Sequence, residues 1–118
     1  MKYVDGYILP VTAKNVDAYR KIARMAGKIW MEHGALQYCE SAGDDLYPKK
    51  LVAFPKMTKL KKGETVIFAW IVFKSKSHRD KVNAKVMKDP RMNKVDPNTM
   101  PFDWRRIAFG GFNVIVDF

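Results

Sequence analysis

The stretch Glu64-Thr65-Val66-Ile67-Phe68-Ala69-Trp70-Ile71-Val72-Phe73 decides the fold. It is rich in β-branched and aromatic residues and is bounded by Lys61-Lys62-Gly63 and Lys74-Ser75, so it reads as a strand. Side chains alternate across a strand, which puts Val66, Phe68, Trp70 and Val72 on one side and Thr65, Ile67, Ala69, Ile71 and Phe73 on the other. Both sides are apolar. A strand of this kind belongs in a sheet with both faces covered, and the rest of the chain has to supply the covers.

Working outward toward the N-terminus, Tyr3 to Val11 is a second β-branched and aromatic run. Val16, Tyr19, Ile22/Ala23, Ala26, Ile29/Trp30 and His33 then recur at helical spacing, with Thr12 or Asn15 available as cap and Gly34 as terminator. Ala35 to Ser41 alternates with period two until Gly43-Asp44-Asp45 and Pro48 break it. Leu51 to Met57 is expected to form an edge or interrupted strand, because of Pro55, and to pair with residues 64–73 through a hairpin at Lys61-Lys62-Gly63.

Toward the C-terminus, Ser77-His78-Arg79-Asp80 resembles a capping box with Asp in place of Glu, and Val82, Val86 and Met87 supply the apolar stripe of a second long helix. Pro90 stops that helix, while Asp89 and Pro90 together suit the start of a short helical restart. Ile107 to Phe118 reads as a closing strand, in which Gly110-Gly111 marks a bulge or a close backbone approach.

The order β-α-β, basic hairpin connection, β-α-β predicts an α+β fold: a ferredoxin-like βαββαβ antiparallel sheet with its helices on one face, as one domain over residues 1–118. Two helices cover one face only. The closing strand is apolar on both sides too, with Ile107, Phe109 and Ile115 against Ala108, Phe112, Val114 and Val116. A second copy is the natural cover for the remaining face, so a homodimer is expected.

No apolar run approaches the roughly 18 residues a membrane span requires, and Met1-Lys2-Tyr3-Val4-Asp5 has no signal-peptide pattern. A cytoplasmic protein with no membrane partner is expected. The single Cys39 excludes an intrachain disulfide and reads as a small hydrophobe on a strand. The net charge of +10 is confined to two segments: residues 44–63 hold six Lys against two Asp, and residues 74–95 hold six Lys and two Arg against two Asp. Twelve of those fourteen cations are Lys, and only Tyr47 and Phe54 lie among them. A solvated surface is therefore expected, and specific nucleic-acid recognition is not.

Four parts of the chain carry a resemblance: Tyr3-Val4-Asp5-Gly6; residues 64–71; Ser75 to Met92 with Arg79-Asp80, Asn83 and Asp89-Pro90-Arg91-Met92; and Met100-Pro101-Phe102-Asp103 followed by Gly110-Gly111-Phe112. On these the chain resembles the YbaA-like family of uncharacterised conserved bacterial proteins along nearly its whole length. Ala69 stands where that pattern has Ser, and the Lys-rich connection 49–62 fits it least. The resemblance implies a dimeric α+β barrel, in which two ferredoxin-like sheets face one another, and no established reaction. Haem degraders among the wider relatives of that barrel differ from Asp5 and Tyr7 on strand one, from Phe73 before Lys74-Ser75, and from His78 at the helix start. No cofactor is expected.

His33 and His78 have no paired His or Cys nearby in sequence, so no metal site is expected, and no phosphate loop or nucleophile elbow is present. What remains is a set of polar groups among aromatics, the composition of a small-molecule pocket between sheet and helices or loops. The candidate ligand-binding residues are Tyr7, Tyr38, Glu40, Trp70, Phe102 and Asp103. The candidate catalytic residues are Asp5 as a base, with Arg91 or Arg105 holding an anion, as a cofactor-free enzyme would require. Each has a structural alternative: Asp5 pins a bulge or pairs with a cation such as Arg106, Trp70 is core, His78 is a surface residue, and Arg91 and Asp103 tie neighbouring segments together. The alternative for the whole protein is a non-catalytic interaction protein whose Lys-rich face binds an acidic partner or nucleic acid.

Overall fold

β1 (Tyr3–Thr12) and β3 (Glu64–Phe73) run antiparallel in unbroken register from Tyr3 opposite Phe73 to Thr12 opposite Glu64, in a computed structural model that describes residues 1–118. They form the centre of a four-stranded sheet, with β2 (Gln37–Ala42) at the outer edge of β3 and β4 (Ala108–Asn113) at the outer edge of β1. All neighbours are antiparallel, in the order β2-β3-β1-β4. The interior position of β3 is what its two apolar sides demand.

α1 (Val16–Glu32) connects β1 to β2, and α3 (Lys76–Lys88) leads from β3 toward β4, so each connection passes over one intervening strand. Both helices pack on the face that carries Ile67, Ala69, Ile71 and Phe73. Ile29 and Trp30 of α1 meet Val82 and Val86 of α3 over Ile71 and Phe73 in one apolar cluster. Tyr19 and Ala23 of α1 meet Leu9, Val11, Ile67 and Ala69 in a second. Tyr7 touches both clusters and stands at their junction.

Several local expectations are corrected. Leu51 to Met57 is not a strand arm: its end forms α2 (Phe54–Met57), with Pro55 in the first turn. Both edges of β3 are already taken, by β1 and by β2, so the expected hairpin with β3 has no place, and proline suits a first helical turn. α2 instead lays Phe54 against Phe68, ring centroids 6.1 Å apart, and thereby covers one end of the second face of the sheet. The lysines of this connection are exposed. Neither Thr12 nor Asn15 caps α1 through its side chain; a 3-10 turn, Ala13–Asn15, intervenes. The cap of α3 is Ser75, whose Oγ accepts from the His78 N–H at 3.1 Å, rather than the Ser77–Asp80 box.

Asp89 does cap a short helix, α4 (Pro90–Asn93), accepting from the Arg91 N–H at 2.9 Å. β4 stops at Asn113, five residues short of the expected strand end, because Asn113 pairs with Tyr3 and β1 begins there. Its double glycine forms no bulge; a Cβ on Gly111 would lie 2.3 Å from the Tyr3 hydroxyl, so the reason for glycine is close approach. Beyond it Ile115, Val116 and Phe118 stand in solvent. No helix is long and apolar enough to cross a membrane.

Candidate functional site

The register brings Tyr7, Ala69 and Glu40 into one row across β1, β3 and β2, all on the helix-covered face. Ala69 is the small residue in this row, and above it, where the two apolar clusters meet, lies a chamber of about 130 Å³. Tyr7, Tyr19, Tyr38, Glu40 and Phe102 line it, with Trp30 at one end. α1 supplies Tyr19 from above, and the loop before β4 supplies Phe102, whose ring meets that of Tyr19 edge-on at 5.5 Å.

Glu40 is the polar centre of this chamber. Tyr38 donates its hydroxyl to Glu40 Oε2 at 2.5 Å, and Tyr19 donates to Oε1. Hydrogen bonds to a charged acceptor contribute about 1.5–3 kcal/mol each, which holds both phenols in place. Burial pushes the Tyr38 and Tyr19 phenols well above their ordinary range, and the negative charge of Glu40 adds to it. Tyr7, pushed up to about 12 by burial and then by the charge of Asp5, is not part of this hydrogen-bonded pair. All three tyrosines are therefore proton donors at neutral pH, and Tyr7 has its hydroxyl to offer.

Gly27 makes the arrangement possible. A Cβ there would lie 2.6 Å from Cδ1 of Tyr38, so only glycine lets that ring lie against α1. Glycine in a helix interior is disfavoured by about 1 kcal/mol relative to alanine, which is the signal that could have marked it in the sequence. Tyr19 was legible only as one of the helix's apolar positions, although a buried phenol usually finds a hydrogen-bond partner.

Five of the six expected ligand-binding residues, Tyr7, Tyr38, Glu40, Trp70 and Phe102, border the chamber. Trp70 does so from the other side of the sheet: alternation turns its ring away, 5.5 Å from that of Phe68, and what it lends is backbone. Asp103 is not among them. It caps the 3-10 turn Trp104–Arg106 and pairs with Arg105 at 3.0 Å on the surface.

Asp5, Arg91 and Arg105 are not brought together. Asp5 is fully buried two residues before Tyr7, and its cation is Arg79, at 2.9 Å, rather than Arg106, which pairs with Glu64 at 2.6 Å. Its Oδ2 has no partner, and burial pushes its carboxyl above the usual range despite Arg79. Arg91 is held by Asp89 and Glu32, tying α4 to α1. His78 receives the Lys74 N–H on Nδ1 at 3.0 Å, and its ring meets Phe73 edge-on. No three His, Cys, Asp or Glu side chains converge.

Outside the chamber a groove of about 510 Å³ runs between α1 and the edge strand β2. Tyr19, Tyr38 and Glu40 border both spaces and form the partition between them. On the opposite face of the sheet, Val4, Ile8, Phe68, Trp70 and Phe112 border a shallow apolar concavity of about 450 Å³. There Phe68 is 44% and Phe112 60% exposed.

The chain belongs to the family described as "Protein of unknown function (DUF1428)", whose model matches residues 2–104. It is 42% identical over 117 residues to the uncharacterized protein YbaA of Escherichia coli (strain K12), covering 99% of each chain. The YbaA protein of Shigella flexneri matches to the same extent. Among solved structures, an uncharacterized NIPSNAP domain protein from Burkholderia xenovorans superposes with a TM-score of 0.56 at 14% identity, over 95% of this chain and 93% of that one. The de novo designed protein Foldit4 superposes with a TM-score of 0.53 at 11% identity, over 97% and 99%. At these identities the structural matches speak to the fold alone: a mixed α+β arrangement with a four-stranded antiparallel sheet.

Proposed function

We propose that this member of the family works as a homodimer that binds a small molecule in the chamber under α1. The observation that carries the reading is the Glu40 carboxylate, held by two tyrosine hydroxyls inside an otherwise apolar wall that Tyr7 also lines. An apolar enclosure with a few fixed polar groups both binds and orients a ligand, Tyr7 donating to it and Glu40 accepting from it. The finer form of the fold is part of the proposal: one ferredoxin-like domain over residues 1–118 whose uncovered face pairs with that of a second copy, as a dimeric α+β barrel. The strand order and the apolar concavity on that face support it.

The test uses ligand-induced heat stabilisation with a panel of small phenols, aromatic acids and carbonyl compounds, on the wild type and on Ala69→Val. Valine at the chamber floor fills space without adding charge. At least one compound should raise the wild-type melting temperature and fail to raise that of Ala69→Val; equal shifts in both proteins would remove the chamber as the site. Light scattering should return twice the 13.6 kDa chain mass, and a 13.6 kDa species would remove the dimer.

A further inference from the structure

We infer that the ligand of this site is a small organic acid, with one ring or a short branched apolar body in the chamber and its acid group outside the partition, on Arg24 and Lys28. The inference rests on the small-molecule reading above and adds its chemical class. It starts from size. A cavity of about 150 Å³ lined by apolar side chains holds one benzene, and the chamber, at about 130 Å³, takes a body of that order and no more. The rest of any larger ligand has to lie in the groove.

Polarity then assigns the two ends. Inside, Glu40 presents a carboxylate whose neighbours are phenols and apolar side chains, so a second anion placed there meets repulsion with no cation to offset it. Outside, Arg20, Arg24 and Lys28 follow one another at one-turn spacing along α1 and border the groove, a row about 12 Å long by helix geometry. Arg20 is held by Asp17 at 2.7 Å, which leaves Arg24 and Lys28 as the cations to receive an anion. The facing wall is Ser41 and Ala42 of β2, which carry no charge, and Glu40 is the one acid bordering the groove. The site is thus cationic at its mouth, apolar in its depth and anionic at the partition. A ligand with an acid at one end and an apolar body at the other matches that sequence of environments. It passes beside Tyr19, Tyr38 and Glu40, the residues that border both spaces.

Isothermal titration with 3-phenylpropionate, 3-phenylpropanamide and 3-phenylpropylamine tests the assignment, because the three differ in charge at nearly constant shape. The proteins are the wild type, the double variant Arg24→Gln/Lys28→Gln and Ala69→Val, each first shown by thermal melting to be folded. The acid should bind the wild type about tenfold or more tighter than the amide, a difference of roughly 1.4 kcal/mol, and should weaken with added salt. The double variant should lose that preference and keep the amide affinity. Equal binding of acid and amide by the wild type, tighter binding of the amine, or a preference that survives in the double variant would overturn the acid assignment while leaving the chamber reading in place. No binding of any of the three, or Ala69→Val binding them as the wild type does, would overturn both.

Discussion

On the helix-covered face of β3, Ile67, Ala69, Ile71 and Phe73 are all buried, whereas their neighbours on the other face, Phe68 and Trp70, stand partly in solvent together with Phe112 of β4. The residue types on the two faces are alike, and what differs is the cover. α1 and α3 close the first face; only α2, at one end, shields the second. The covered face is also where the polar exceptions lie: Asp5 with Arg79, and Glu40 with Tyr19 and Tyr38. Hydrophobic alternation therefore makes both faces of this sheet sticky, and the buried polar groups make one of them specific.

The largest effect separates packed core from chamber wall within the covered face, in a pair of aromatic truncations. Phe73, fully buried, should lose about 3–5 kcal/mol on substitution by Ala, measured by denaturant unfolding. Phe102→Ala should lose less, since that ring is half-buried beside a chamber into which neighbours can relax. Equal losses at the two positions would erase the distinction between packed core and chamber wall.

On the open face, Phe112→Asp places a charge where the proposed second copy sits. If that face is covered in solution, the variant should run at 13.6 kDa in light scattering and lose about 1.5–3 kcal/mol per chain, the usual worth of burying one Phe side chain. A variant with the wild type's mass and stability would show that this face stays free.

Gly27→Ala probes the covered face at its tightest point. The helix gains about 1 kcal/mol of propensity, but the Tyr38 ring must move, and overpacking of this kind costs about 1–3 kcal/mol. The net result should be a modest loss of stability with a change in tyrosine fluorescence as Tyr38 leaves Glu40. A stabilised variant would mean that the ring has somewhere else to go.

Two buried aspartates should act in opposite directions with pH. Burial outweighs Arg79 and raises Asp5 above its ordinary 3.8, so the folded chain keeps a proton that the unfolded chain has released. Stability tied to it is present below 3.8 and is lost as the pH rises from there through the raised value. Asp89, held down by hydrogen bonds from Arg91 and then His33, contributes stability that is present above 3.8 and lost as the pH falls. Unfolding curves between about pH 2 and 7 should show Asp5→Asn abolishing a decline on the rising side and Asp89→Asn flattening the acid limb. A loss of the same limb in both variants would contradict the opposite shifts of the two carboxyls. The smallest effect belongs to Arg105→Ala, an exposed residue tied only to Asp103, which should stay within about 0.5 kcal/mol of the wild type.

The sequence by itself determined the principal elements, because their signals are local. A ten-residue run with eight β-branched or aromatic residues makes β3, helical spacing makes α1, and Asp89-Pro90 makes the joint between α3 and α4. It also determined that both faces of the sheet are apolar, since alternation requires no partner to be read. Five chamber residues were legible as aromatic and acidic side chains suited to a pocket, but alternation gives a side and never a row. That Tyr7, Ala69 and Glu40 line up is set by two strand registers, which only tertiary pairing decides.

The same limit explains the misreadings. Asp5 pairs with a residue 74 positions away on α3, and nothing local distinguishes Arg79 from Arg106 as its cation. Leu51 to Met57 has strand-like composition, yet β1 and β2 occupy both edges of β3, the strand it was expected to pair with, and its end, Phe54–Met57, folds as a helix over the open face. The strand expected to reach Phe118 ends at Asn113, opposite Tyr3 at the start of β1, and beyond it the Val114 N–H still donates to the Lys2 carbonyl at 3.0 Å. Local propensity fixes what a segment is able to become, and competition for hydrogen-bonding edges and buried partners, settled only when the chain is closed, fixes which of those it is.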